Sequence, residues 1–139
     1  METRWVSQAG QMQSPVQAHL LLCATPTKAL CCDPLVGAAS WQRLKELVRE
    51  LDLENPTRRE GIVLRSKVDC LRICQAGPIM LIWPDGITYG GVTPERLERI
   101  LREHVLRGQP IQEWIIAHQT LGPTPGEPQT PGPAASAHA

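Results

Sequence analysis

Ile79-Met80-Leu81-Ile82-Trp83-Pro84-Asp85-Gly86-Ile87-Thr88-Tyr89 is a β-hairpin written in sequence. The apolar run Ile79 to Trp83 reads as a buried strand. Pro84 fixes φ at the second turn position, Gly86 accepts positive φ, and Ile87-Thr88-Tyr89 returns. Thr93-Pro94-Glu95 follows, with a hydroxyl cap, a proline at the first helical position and an acid in the first turn. Leu97, Ile100, Leu101, His104 and Val105 make the apolar stripe of that helix, and Gly108 stops it.

Upstream the pattern changes. Leu20-Leu21-Leu22 reads as a strand buried on both faces. Ser40 is placed to cap a helix whose stripe is Trp41, Leu44, Leu47, Val48 and Leu51, with Glu46, Arg49 and Glu50 on the other face. Gly61-Ile62-Val63-Leu64-Arg65 is a second strand. The order is strand-helix-strand, then strand-strand-helix, which is that of a thioredoxin-like fold. The expected class is therefore α/β, a mixed sheet of about four strands with flanking helices.

The chain has 139 residues, with 14 basic and 14 acidic side chains and zero formal net charge. One domain fits that length. Without a basic excess there is nothing to displace counterions, which argues against a nucleic-acid binder. The longest apolar run, His19 to Ala24, is far short of the roughly 20 residues that cross a bilayer. No apolar segment of the secretory type follows Met1-Glu2-Thr3-Arg4, so no membrane attachment and a cytoplasmic location are expected. Residues 1–15 are polar and aperiodic and should be flexible. Residues 122–139 hold Pro123, Pro125, Pro128, Pro131 and Pro133 with the single charge of Glu127, the composition of a disordered tail. The folded unit then spans 16–121, with no internal repeat. Phe is absent, so Leu, Ile and Val must fill the core.

Five cysteines stand out: Cys23, Cys31, Cys32, Cys70 and Cys74. In a reducing compartment such clustering points to metal or redox ligation more than to disulfides. Cys23 ends the first strand, and Cys70 and Cys74 follow the second. Ligands collect beyond the carboxyl ends of strands in α/β sheets, so the fold can bring the groups together. Cys70-Leu71-Arg72-Ile73-Cys74 has the spacing of a tight ligand turn, whereas seven residues lie between Cys23 and Cys31 and eight between Cys23 and Cys32. No Cys-x-x-Cys is present, which disfavours dithiol exchange. A two-iron cluster accepts one wide and one narrow pair; a zinc ion is the competing occupant of four thiolates. Arg65, Lys67, Arg72 and Lys28 lie close in sequence to these cysteines and could balance their charge. Gly77-Pro78 opens the third strand. His19, His104, His118 and His138 form no nucleophile or acid–base arrangement, and no glycine-rich phosphate loop occurs, so the chain does not read as an enzyme. His104 reads as a hydrogen-bonded core or interface residue.

The residues from His19 to Glu113 resemble a known family. The pieces are His19-Leu20-Leu21-Leu22-Cys23, Val68-Asp69-Cys70-Leu71-Arg72-Ile73-Cys74, Gly77-Pro78-Ile79-Met80, Trp83 to Tyr89, and Val92-Thr93-Pro94-Glu95 leading to Glu103-His104. In order and spacing they resemble the thioredoxin-like [2Fe-2S] ferredoxins, related to the small iron-sulfur subunit of bacterial NADH dehydrogenase. The resemblance implies one [2Fe-2S] cluster, one-electron transfer to and from redox partner proteins, and a homodimer. Carried over, the ligands are Cys23, Cys32, Cys70 and Cys74, with Cys31 as the alternative to Cys32. Cys32 is preferred because it adjoins the turn from Asp33-Pro34 to Gly37 into the helix. The doublet and the proline-rich tail depart from the family pattern. Two other readings share the same residues: a cluster-bearing relay subunit of a larger oxidoreductase, and a zinc-stabilised thioredoxin-like interaction module.

Overall fold

The computed structural model describes residues 15–24, 33–69, 71, 73, 77–123 and 126. The expected segments 1–15 and 122–139 fall almost wholly outside them. Five strands form one sheet: β1 Val16–Cys23, β2 Ile62–Val68, β3 Ile79–Trp83, β4 Ile87–Tyr89 and β5 Ile115–His118. Their spatial order is β2-β1-β3-β4-β5. β2 runs parallel to β1, and all other neighbours are antiparallel. The expected four strands are thus corrected to five. β5 is a four-residue edge strand paired only with β4, too short for its alternation to register as a period.

The helix α1, Pro34–Glu50, links β1 to β2, and α2, Pro94–Arg99, follows β4. The expected cap at Ser40 is corrected. Asp33 caps α1 by accepting from Leu35 N–H at 2.8 Å, with Pro34 at the first helical position. Ser40 lies inside the helix, fully buried, and its hydroxyl donates to the Val92 carbonyl at 2.8 Å. Beyond Arg99 the second helix widens over Ile100–Val105, where Leu106 N–H reaches back to the Leu101 carbonyl at 3.0 Å. It ends at Gly108, whose φ of +70° and N–H bond to the His104 carbonyl turn the chain away.

Both helices pack on one face of the sheet. Leu20 and Leu22 of β1 pair with Ile82 and Met80, which pair in turn with Ile87 and Tyr89. This face joins Leu44, Leu47 and Val48 of α1 and Leu97, Ile100 and Leu101 of the second helix in one buried cluster. Each such side chain contributes roughly 1.5–3 kcal/mol relative to exposure. The opposite face carries Leu21, Leu81, Thr88 and Ala117 in one cross-strand row. On this face of β1, Leu21 is half-buried and Cys23, at the strand's end, is buried.

Candidate functional site

Cys23 is the last residue of β1, the strand between β2 and β3. It is 3% exposed and sits opposite Val68, the last residue of β2, and Ile79, the first of β3. Its thiol donates to the Asp69 carbonyl at 3.3 Å. Two strand exits and one strand entry therefore meet at one corner of the sheet.

The connection from β2 to β3 starts and ends at this corner. It leaves on one side of β1 and returns on the other, spanning two strand spacings of about 4.8 Å each. The return runs through a cis Gly77–Pro78 peptide, and the Pro78 carbonyl accepts from Val92 N–H at 2.9 Å. Leu71 and Ile73 of the connection are half-buried. Cys70 and Cys74 lie outside the described residues, but both ends of their stretch, Asp69 and Gly77, are placed here.

The connection from β1 to α1 also begins and ends at this corner. Gly37, in the first turn of α1, lies directly against the backbone of Ala24. Cys31 and Cys32 lie outside the described residues as well, in the stretch 25–32 between these fixed ends. Among the described residues no group of three or more His, Cys, Asp or Glu side chains could hold a metal ion.

The basic residues divide. The guanidinium of Arg65 lies over the Trp41 ring of α1 at 5.8 Å and pairs with Glu54. Lys67 is exposed near the end of β2. Lys28 and Arg72 are outside the described residues. His104 is a core residue, as its position on the stripe predicts. Its Nδ1 lies 2.8 Å from Tyr89 Oη and its Nε2 2.5 Å from Asp85 Oδ2. His19 pairs with Ser66 Oγ at 2.8 Å on the face away from the helices. The Asp69 carbonyl and the Gly37 contact are site features that the sequence analysis missed. Gly37 leaves a signal, since a glycine inside a helix costs about 1 kcal/mol and asks for a packing reason.

No protein-family model matches the chain. It is 35% identical over 48 residues, 34% of its length, to a 2Fe-2S ferredoxin of Aquifex aeolicus, covering 43% of that protein. It is 34% identical over 54 residues, 39% of its length, to a 2Fe-2S ferredoxin of Clostridium pasteurianum, covering 53% of that protein. The chain thus spans about half the length of the curated relatives it matches. Among solved structures, a thioredoxin-like [2Fe-2S] ferredoxin from Aquifex aeolicus superposes with a TM-score of 0.61 at 21% identity, covering 83% of this chain and 99% of that one. The chain has the thioredoxin-like fold of that ferredoxin, and in sequence it is similar to the 2Fe-2S ferredoxins.

Proposed function

We propose that the chain is a small one-electron carrier holding a single [2Fe-2S] cluster through Cys23, Cys32, Cys70 and Cys74, with Cys31 as the alternative to Cys32. The observation that carries this reading is the meeting of the β1 exit, the β2 exit and the β3 entry at Cys23. Every other cysteine lies on one of the two stretches anchored there. Thiols are the donors an iron-sulfur cluster takes, and Cys23 already stands buried beside the Asp69 backbone. When bound, the cluster supplies reversible one-electron chemistry.

The chain's own contribution is positioning and exclusion of water. Four thiolates on an oxidised two-iron core carry a net charge of about −2, which calls for nearby backbone N–H donors and a defined path to solvent. The partners would be redox proteins and the compartment a reducing one. The similarity of the chain to 2Fe-2S ferredoxins supports iron over zinc, which takes the same ligands.

Metal and sulfide analysis of anaerobically purified protein tests the proposal. The expected sample is red-brown, with two irons and two sulfides per chain and an EPR signal after dithionite reduction. A colourless protein with stoichiometric zinc overturns it.

A further inference from the structure

We infer that the cleft between the start of β1, the end of β3 and the second helix binds an alkylammonium group, with Asp85 as the side chain that recognises its charge. The cleft is half-open, with a volume of about 190 Å³, room for several water-sized groups. Ala18, Ile82, Pro84 and Val105 give it apolar walls. Gln17 adds its stem alone, because its amide is taken at both ends. Nε2 donates to the Val105 carbonyl at 2.8 Å, and Oε1 accepts from Arg58 at 2.8 Å. Arg58 in turn pairs with Glu60. Among the described residues Asp85 is thus the one charged side chain lining the cleft, and it has no Lys or Arg partner there. β3 runs from Ile79, opposite Cys23, to Trp83, so the cleft lies at the far end of the sheet from Cys23 and this inference stands apart from the cluster assignment.

Asp85 is the outer end of a chain of buried polar groups. Ile111 N–H donates to Tyr89 Oη at 3.0 Å, Tyr89 Oη lies 2.8 Å from His104 Nδ1, and His104 Nε2 lies 2.5 Å from Asp85 Oδ2. Tyr89 and His104 are buried, whereas the Asp85 side chain is 48% exposed. Ile111 N–H can only donate, so the chain runs outward: the phenol donates to Nδ1, and Nε2–H donates to the carboxylate. The hairpin does not require that carboxylate, since Gly86 N–H closes the turn on the Ile82 carbonyl at 2.8 Å. Apolar side chains of the same shape would serve the core as well as a buried polar network, which is costly unless every member is satisfied. What this network does is fix one carboxylate at the mouth of an apolar cleft. With Oδ2 held by His104, the second oxygen has no donor among the described residues. The helical wall points the same way: His104 and Val105 belong to Ile100–Val105, where the second helix widens, a distortion that recurs at functional sites. An ammonium group on a short apolar stem fits both features, a charge-assisted bond to Asp85 and burial of the stem against the walls.

The test titrates isotope-labelled full-length protein with butylammonium chloride and, at matched ionic strength, with sodium butyrate. The amide signals of Val105 and Gly108 report the cleft, and that of Leu64 on β2 serves as the remote control. Butylammonium is expected to give saturating shifts at the cleft in the millimolar range, and butyrate none. Asp85→Asn keeps an oxygen to accept from His104 and removes the charge; it is expected to bind butylammonium about 10-fold more weakly or worse, with an unchanged circular dichroism spectrum. N-acetyl-lysine methylamide separates the sources of the ligand. Saturation by both compounds assigns the cleft to a lysine side chain of a partner protein, and saturation by butylammonium alone assigns it to a free amine. No saturation below about 100 mM overturns the inference, as do equal shifts from butyrate or a folded Asp85→Asn that binds as tightly as wild type. Should Asp85→Asn unfold, the comparison of butylammonium with butyrate on the wild-type protein decides.

Discussion

Tyr89→Phe removes one oxygen atom from the centre of a buried polar chain. Tyr89 is fully buried, and its Oη accepts from Ile111 N–H at 3.0 Å and lies 2.8 Å from His104 Nδ1. With the phenol donating to Nδ1, the His104 Nε2–H faces the Asp85 carboxylate, and every group is satisfied. Phe would leave two buried groups, the Ile111 N–H and His104 Nδ1, without partners. Each stranded group costs about 1–3 kcal/mol, so a loss of about 2–6 kcal/mol is expected. In a domain of this size, at about 4 °C per kcal/mol, that lowers Tm by about 8–24 °C. Urea titration at unchanged m reads it directly. A loss below about 0.5 kcal/mol would refute the reasoning, because it would place the substitution among those that touch nothing.

The same residue gives an alkaline signature. Burial pushes the Tyr89 phenol above its ordinary value of 10.0, and the Ile111 N–H only partly offsets it. The folded state therefore keeps its proton where the unfolded chain has lost it. The stabilising contribution is complete below pH 10 and is lost as pH rises through the raised folded value. The difference in stability between wild type and Tyr89→Phe should narrow over that window and be flat below it. Tyr89 is the only tyrosine, so tyrosinate absorbance reports it alone. A titration at the ordinary value in the folded protein would contradict the burial argument.

Ser40→Ala strands the buried Val92 carbonyl between α1 and the start of α2, and should cost about 1–3 kcal/mol in chemical denaturation. Asp33→Ala should cost about 1 kcal/mol through the lost cap, while Asp33→Asn, which keeps an accepting oxygen, should stay within a few tenths; equal losses in the two variants would point to the charge instead. Cys70→Ser and Cys74→Ser should each abolish or gravely disturb the iron signal, as should Cys32→Ser, whereas Cys31→Ser should leave the visible spectrum near wild type. Loss in Cys31→Ser with retention in Cys32→Ser would reverse the assignment of that ligand.

The fold was legible where local chemistry and burial pointed the same way. Ile79 to Tyr89 carries its own turn residues, and the stripe from Leu97 to Val105 coincides with buried positions. The start of α1 was misread because its first turn shows solvent an apolar side chain: Leu35 is 80% exposed, so the stripe begins only later, at Trp41. Ser40, just before that stripe, offers the chemistry of a cap yet spends its hydroxyl on Val92 across the core. β5 was missed because its evidence is not local. Ile115-Ile116-Ala117-His118 becomes a strand by pairing with β4 and by the Gln119 N–H bond to the Gly86 carbonyl at 2.6 Å. Trp114, just before it, is held by Arg96 and Arg99 from the second helix, at 4.5 and 4.9 Å from the ring centre.

The meeting of the strand ends that flank the cysteine stretches was legible for a different reason, which is topological. With β1 between a parallel β2 and an antiparallel β3, the chain must leave β1, leave β2 and enter β3 at one edge of the sheet. The described residues that flank the cysteine-bearing stretches, Ala24, Asp69 and Gly77, are thereby brought to one edge of the sheet. Neither strand order nor direction names the loop atom that faces Cys23, so neither chooses between Cys31 and Cys32. The contacts at this corner, Gly37 on Ala24 and the Cys23 thiol on the Asp69 carbonyl, involve backbone segments and leave no periodicity in the sequence. In the proposed electron carrier, a strand frame of this order would fix the place of the cluster before it fixes the ligands, because topology acts on whole strands and ligation on single side chains.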